Sequence, residues 1–91
     1  YPEIVKDLAF VIDNEVESEI IKSQIKKSGG RLLDSIEVFD VYEQIEEGKK
    51  SIAYKLVFKD ANKTLSDDEV MEVFNKIIKE VEAKIGAKLR G

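Results

Sequence analysis

The chain has 91 residues, of which 43% are hydrophobic and 37% are charged, so we expect one soluble domain with a single modest core. Its formal net charge of −4 argues against nucleic-acid binding by bulk electrostatics, because that mode needs clustered Lys and Arg. The absence of Cys and His excludes a disulfide scaffold and a thiol nucleophile, and it removes the commonest general base near neutral pH. No apolar run approaches the roughly 20 residues that a membrane span requires.

The start of the chain indicates a piece of a longer protein. Tyr1-Pro2-Glu3 has neither the basic start nor the apolar stretch of a signal peptide, and no initiator methionine precedes it. We therefore expect residues 1–91 to be one domain of a longer chain. The lack of cysteine fits a cytoplasmic location.

The first half of the chain predicts a strand, a helix and a second strand. Residues 4–12 are apolar and rich in β-branched side chains, which favours a central strand. Residues 18–28 place isoleucines at helical spacing, and Gly29-Gly30 end this helix because a helix C-terminus often needs a left-handed residue. Residues 32–42 predict the second strand, and residues 43–49 a charged loop containing Gly48.

The third strand, residues 50–59, is predicted by strict alternation. Its apolar residues are Ile52, Tyr54, Leu56 and Phe58. They alternate with a set of mixed polarity, which is Ser51, Ala53, Lys55 and Val57. If Ile36 and Val38 of the second strand face the core, Phe39 lies on the open side of the sheet beside Lys55. An exposed ring beside a cation can bind a nucleobase and its phosphate. The alternatives are a core position for Phe39 or packing under a neighbouring domain, and one β-bulge would exchange the two faces.

The second helix has the clearest local signal in the sequence. Ser66 and Glu69 have the spacing of a capping box, and Leu65 and Val70 that of a hydrophobic staple. Gly86 ends the helix, and residues 87–90 can form a short last strand. The order β-α-β-β-α-β predicts an α+β, ferredoxin-like fold, in which two helices cover one face of a four-stranded antiparallel sheet and leave the other open.

No enzymatic site is predicted within these residues. Gly48 to Ser51 resembles the end of a phosphate-binding loop, but the upstream glycine is missing and the serine opens a strand rather than a helix. The carboxylates between Asp13 and Glu19 lack the order of a calcium loop. We expect no catalytic residue, cofactor or metal in this domain.

Several segments together carry a family pattern: Y-P-E-I-V-K-D-L-A at the start, G-G at 29–30, S-I-E-V-F-D-V-Y at 35–42, G-K-K-S-I-A-Y-K-L-V-F at 48–58, K-T-L-S-D-D-E-V at 63–70 and the terminal L-R. In these segments the chain resembles the anticodon-binding domain that ends the beta chain of bacterial phenylalanyl-tRNA synthetase. The resemblance runs through the whole chain in order and spacing. It departs at Lys6 and Lys63, where the family usually has arginine, so the planar fork used for bidentate contacts is lost while the charge is kept.

The resemblance implies a ferredoxin-like fold and binding of the tRNA anticodon stem-loop by a non-catalytic domain. In such a synthetase the alpha chain attaches phenylalanine to its tRNA with ATP and magnesium, which would bind elsewhere. The implied partners are a phenylalanine-accepting tRNA and the alpha subunit, in a heterotetramer of two alpha and two beta chains. Neither DNA nor a membrane is an expected partner.

The candidate RNA-binding residues are Phe39, Ser51, Ala53, Lys55, Lys49 and Lys6. Phe39 would stack on a base, Ser51 and Ala53 would allow close approach, and the lysines would meet phosphates or base edges. A structural role, pairing with a carboxylate, is the alternative for Lys6. Two other functions stay open: a small-ligand regulatory domain of the same β-α-β-β-α-β plan, and a docking module without RNA contact.

Overall fold

The computed structural model describes residues 1–90, apart from the side chain of Gln44. The elements are β1 (Ile4–Asp13), α1 (Ser18–Gly29), β2 (Leu33–Glu46), β3 (Lys49–Phe58), α2 (Asp67–Ile85) and β4 (Lys88–Leu89). A single 3-10 turn, Gly30–Leu32, joins α1 to β2. The predicted order β-α-β-β-α-β is confirmed. The predicted loop at residues 43–49 was wrong in its extent, because β2 continues to Glu46 and the chain reverses at Gly48, where φ is +77°.

The four strands form one antiparallel sheet in the order β2-β3-β1-β4. The two apolar strands β1 and β3 lie at the centre, as the sequence predicted, and β2 and β4 form the edges. The ferredoxin-like α+β fold is therefore confirmed. No helix within residues 1–90 is both long enough and apolar enough to cross a membrane.

The core lies between the two helices and one face of the sheet. Alternate residues of β1 and β3 point into it and pack against the apolar sides of α1 and α2, and the fully buried members are Phe10, Ile21, Ile25, Ile52, Tyr54, Leu56, Phe58, Val70, Ile77 and Val81. The buried hydroxyl of Tyr54 donates a hydrogen bond to the carbonyl of Ser18 at 3.0 Å. Burial raises the pKa of this phenol, so Tyr54 stays a neutral donor that ties the start of α1 to β3.

The predicted capping box of α2 is present. The Ser66 hydroxyl accepts a hydrogen bond from the backbone N–H of Glu69, and the Glu69 carboxylate accepts one from the backbone N–H of Ser66, both at 3.2 Å. Leu65 and Val70, the two positions of the staple, are both buried. Gly86 ends the helix in the left-handed conformation, with φ +82°. Local sequence signals therefore set where α2 begins and ends.

Candidate nucleic-acid interface

The sheet face away from the helices carries a flat, small-residue centre. Ala9 of β1 pairs directly with Ala53 of β3, and neither side chain extends far above the backbone. Val11 and Ser51 form the next pair on the same face. We call this surface the open face; its β1 and β3 residues are Val5, Asp7, Ala9, Val11, Ser51, Ala53, Lys55 and Val57. Small side chains there allow a planar ligand to approach the sheet closely.

A β-bulge in β2 changes which residues reach the open face. Val38 pairs with Tyr54 and Asp40 with Ala53, so Phe39 has no partner in the ladder. Because Ala53 lies on the open face, Asp40 lies there too, and so does Tyr42, which pairs with Ser51. Without the bulge, alternation from Val38 would have put Asp40 and Tyr42 on the core side. Phe39 is exposed by 55% at the bulge, but the β2 residue beside Lys55 is Glu37.

Arg90, just beyond β4, reaches across the open face. Its backbone N–H donates to the carbonyl of Ala9 at 2.8 Å, which holds the end of the chain against β1. Its guanidinium donates to the Ser51 hydroxyl at 3.3 Å and lies 5.8 Å from the centroid of the Tyr42 ring. This separation is within the range of a cation–π contact. Arg90 and its neighbours leave Ser51 only 1% exposed, whereas Tyr42 remains 54% exposed.

Asp40 controls the ionisation of the Tyr42 phenol. A hydrogen bond to the Asp40 carboxylate, together with the carboxylate charge, raises the pKa of Tyr42 above its usual value, against a smaller opposite effect of Arg90. Tyr42 therefore stays protonated through the physiological range. The result is an exposed neutral ring with a carboxylate and a guanidinium close to it.

The candidate lysines of this region have acidic neighbours. Lys55 pairs across the sheet with Asp7 on β1 and with Glu37 on β2. Lys49 forms an ion pair with Asp13, Nζ to Oδ1 2.5 Å, and this hydrogen bond raises the pKa of Lys49. Lys49 is neutralised by its ion pair, and Lys55 lies opposite two carboxylates, although no ion pair of the described residues includes it. The open face is therefore better suited to stacking and base-edge contacts than to phosphate binding.

The structure separates one predicted residue from the others. Lys6 pairs with Leu56, a core residue, so its side chain lies on the helix side of the sheet and is half-buried. It cannot form one site with Lys55. Ala53 lies at the centre of the open face as expected, whereas Ser51 is on that face but covered by Arg90.

Sequence reasoning missed Asp40, Tyr42 and Arg90. Asp40 and Tyr42 stand two residues apart, the period of one strand face, but the alternation that begins at Ile36 assigns them to the core side. The terminal L-R of the family pattern includes Arg90, but its contacts could not be read from the sequence because they depend on β4 pairing with β1. Within residues 1–90 there is no group of three or more acidic side chains placed to hold a metal ion.

The fold and the open face together define a ferredoxin-like α+β domain whose bare sheet surface presents a ring, a guanidinium and carboxylates. A family model described as "Ferredoxin-fold anticodon binding domain" matches residues 1–90, and the chain belongs to this family. It is also similar to the phenylalanine–tRNA ligase beta subunits of three bacteria. The identity is 44% with Clostridium tetani and 41% with Oceanobacillus iheyensis, over 99% of the chain in both cases, and 43% with Bacillus subtilis over 100% of it. The chain spans only about 11–12% of the length of these relatives.

Proposed function

We propose that residues 1–91 form the anticodon-binding domain of a longer beta chain of phenylalanine–tRNA ligase, and that the open face binds the anticodon stem-loop. The single observation that carries the proposal is the exposed ring of Tyr42, which lies near Asp40 and Arg90 on the sheet face away from the helices. The family match and the names of the relatives support a phenylalanine tRNA as the RNA.

The chemistry of the open face fits an unpaired base. A base can stack on Tyr42, because aromatic rings bind the face of any base. The Asp40 carboxylate can accept hydrogen bonds only from N–H groups on a base edge, so it favours bases that present donors. The Arg90 guanidinium can donate hydrogen bonds to acceptors on a base edge, or it can stack on a base itself. Ala9 and Ala53 leave room for the base to lie close to the sheet.

Phe39 and the lysines have secondary places in this interface. Phe39, exposed at the bulge, can stack on a second base at the edge of the open face. Lys55 and Lys49 can contact the RNA backbone only in competition with their acidic neighbours. Lys6, on the helix side, has no place in the proposed site.

The parent protein would carry out the chemistry elsewhere. In the proposed assembly the alpha subunit activates phenylalanine with ATP and magnesium, in a cytoplasmic heterotetramer of two alpha and two beta chains. The present domain contributes tRNA affinity and orientation, with no catalytic residue of its own. The names of the relatives, which are beta subunits of the ligase, support the parent protein in this proposal.

An NMR titration of the ¹⁵N-labelled chain with a phenylalanine tRNA anticodon stem-loop tests the binding face. We expect amide shifts concentrated at Tyr42, Ala53 and Ala9, with the solvent-facing residues Lys76 and Lys79 of α2 unmoved. Free phenylalanine in a parallel titration should shift nothing, which separates this function from a small-ligand regulatory domain. Shifts confined to the helices, or no shifts with RNA, would overturn the proposal.

One variant tests the place of Phe39 in the interface. Phe39→Ala should weaken RNA binding if Phe39 stacks on a base, and the fold should persist because this side chain is largely exposed. Equal affinity with an intact spectrum would remove Phe39 from the interface and leave the rest of the site in place.

A further inference from the structure

A basic cleft lies where α1 meets the edge strand β2. It has a volume of about 280 Å³ and is lined by Lys22, Lys26, Leu33, Asp34, Ser35 and Ile36. Lys22 and Lys26 are one helical turn apart, so their side chains leave the same side of α1 with Cβ atoms about 5–6 Å apart. Among the residues that the structure describes, Asp34 is the only acidic one in the lining.

The two lysines differ from several other cations of the chain. Arg31, Lys49, Lys63 and Lys84 each form an ion pair. Within the described part of the chain, no ion pair includes Lys22 or Lys26. Two like charges at this spacing on a helix repel each other. A cleft that concentrates positive charge in an acidic chain is therefore complementary to an anion.

The cleft is continuous with the open face around the edge of β2. Ser35, which lines the cleft, pairs with Val57 on the open face. Between Leu33 and Ser35, the ladder skips Asp34 at a bulge. Along β3, Val57 is about 20 Å from Ser51, the partner of Tyr42, at about 3.3 Å per residue. An RNA loop of a few nucleotides spans this distance.

We propose that Lys22 and Lys26 bind backbone phosphates of the same RNA whose base stacks on Tyr42. The inference rests on the proposed function and extends it from one face of the sheet to a second contact on α1. It also accounts for how an acidic chain holds RNA: bases meet the open face, where the cations have carboxylate neighbours, and phosphates meet the cleft, where carboxylates are fewer.

The test is the salt dependence of RNA affinity. The chain and its Lys22→Ala/Lys26→Ala variant are titrated with the anticodon stem-loop over a series of NaCl concentrations. The slope of log K against log[salt] is negative, and each lysine–phosphate interaction with a single strand contributes about −0.7 to it. The slope of the double variant should therefore be less steep by about 1.4. At about 0.1 M salt the same change corresponds to affinity weaker by roughly 10- to 30-fold.

Matched variants separate this effect from general charge and from folding. Lys76→Ala/Lys79→Ala removes two exposed cations from α2 and should keep nearly the original slope. Lys22→Arg/Lys26→Arg keeps the charge and should also retain the slope. If the Lys22→Ala/Lys26→Ala variant keeps the wild-type slope and affinity while Tyr42→Ala weakens binding, the phosphate-binding role of the cleft is overturned and the role of the open face is not. A cleft that binds an acidic protein segment would give this result. A wild-type chain that does not bind the stem-loop would overturn both proposals.

Discussion

The guanidinium of Arg90 lies 5.8 Å from the ring centroid of Tyr42, although the two residues lie at opposite edges of the sheet, with β1 and β3 between them. Arg90 follows the edge strand β4 and Tyr42 belongs to the opposite edge strand β2. One side chain thus links both edges of the sheet across the open face, with a hydrogen bond to Ser51 on the way. Because this contact is already present in the free domain, it lowers the ordering cost of stacking a base on the ring.

Replacement of Arg90 by lysine should weaken RNA binding while the fold is kept. The backbone N–H of residue 90 still donates to Ala9, but lysine lacks the planar fork that bonds Ser51 and stacks on Tyr42. We expect a loss of about 1 kcal/mol in binding free energy, the size of one hydrogen bond between a base edge and the lost fork. Fluorescence anisotropy with a labelled stem-loop measures it, and Lys88→Arg, on β4, is the control. Affinity equal to wild type would show that only the charge of Arg90 matters.

Asp40→Asn should lower the pKa of Tyr42. In the native chain the Asp40 carboxylate accepts a hydrogen bond from the phenol and repels the phenolate, and both effects raise this pKa. In the variant it should move toward the ordinary value of about 10. A pH titration of chains with ¹³C-labelled tyrosine measures it for each ring separately. The control is Asp34→Asn, at the first bulge of the same strand, which should leave the pKa of Tyr42 unchanged. An unchanged pKa in Asp40→Asn would contradict the role of Asp40.

Asp60→Asn should make the stability of the fold less sensitive to acid. The buried Asp60 carboxylate accepts hydrogen bonds from the backbone N–H of Asn62 at 2.8 Å and from Arg31 at 3.0 Å, and these partners lower its pKa. A carboxyl whose pKa is lower in the folded state contributes stability above its unfolded value of about 4, and this stability is lost as the pH falls. Urea unfolding at pH 7 and at pH 3 should show a smaller difference in the variant. An equal pH dependence would mean that Asp60 does not contribute to acid unfolding.

Ser66→Ala should destabilise the chain by about 1 kcal/mol, within the range of about 0.5–2 kcal/mol for removal of an N-cap side chain. The substitution leaves the N–H of Glu69 without the Ser66 hydroxyl. The midpoint of urea denaturation measures the change. Ser23→Ala, at an exposed position inside α1, should differ from wild type by less than about 0.5 kcal/mol. Equal effects of the two substitutions would rule out a specific capping contribution.

The fold could be predicted because its signals are local. Alternation in β3 identified the buried side chains, and the residues around Ser66 and Gly86 fixed both ends of α2. The extent of β2 could not be predicted, because its charged last residues, including Glu43 and Glu46, are typical of a solvated loop. Glu46 is part of the strand because it pairs with Lys49 of β3.

The candidate site was predicted in part. The open face and the place of Ala53 followed from the period of the third strand. The bulge at Phe39 could not be foreseen, since no glycine or proline marks it. Its shift of one residue moved Asp40 and Tyr42 from the core side, where alternation put them, to the open face. The contacts of Arg90 are tertiary and depend on the whole sheet being assembled.

The ring of Tyr42 is the proposed platform for a base of the anticodon loop, and its removal is the sharpest test of the binding face. The affinity of a phenylalanine tRNA anticodon stem-loop is measured for the wild-type chain, for Tyr42→Ala and for Tyr1→Ala, which removes an exposed tyrosine at the start of the chain. We predict that Tyr42→Ala weakens binding by about 1–3 kcal/mol, the range for one base–aromatic stack, and that Tyr1→Ala binds like wild type. Equal affinities for wild type and Tyr42→Ala, with the fold intact, would contradict this role of Tyr42.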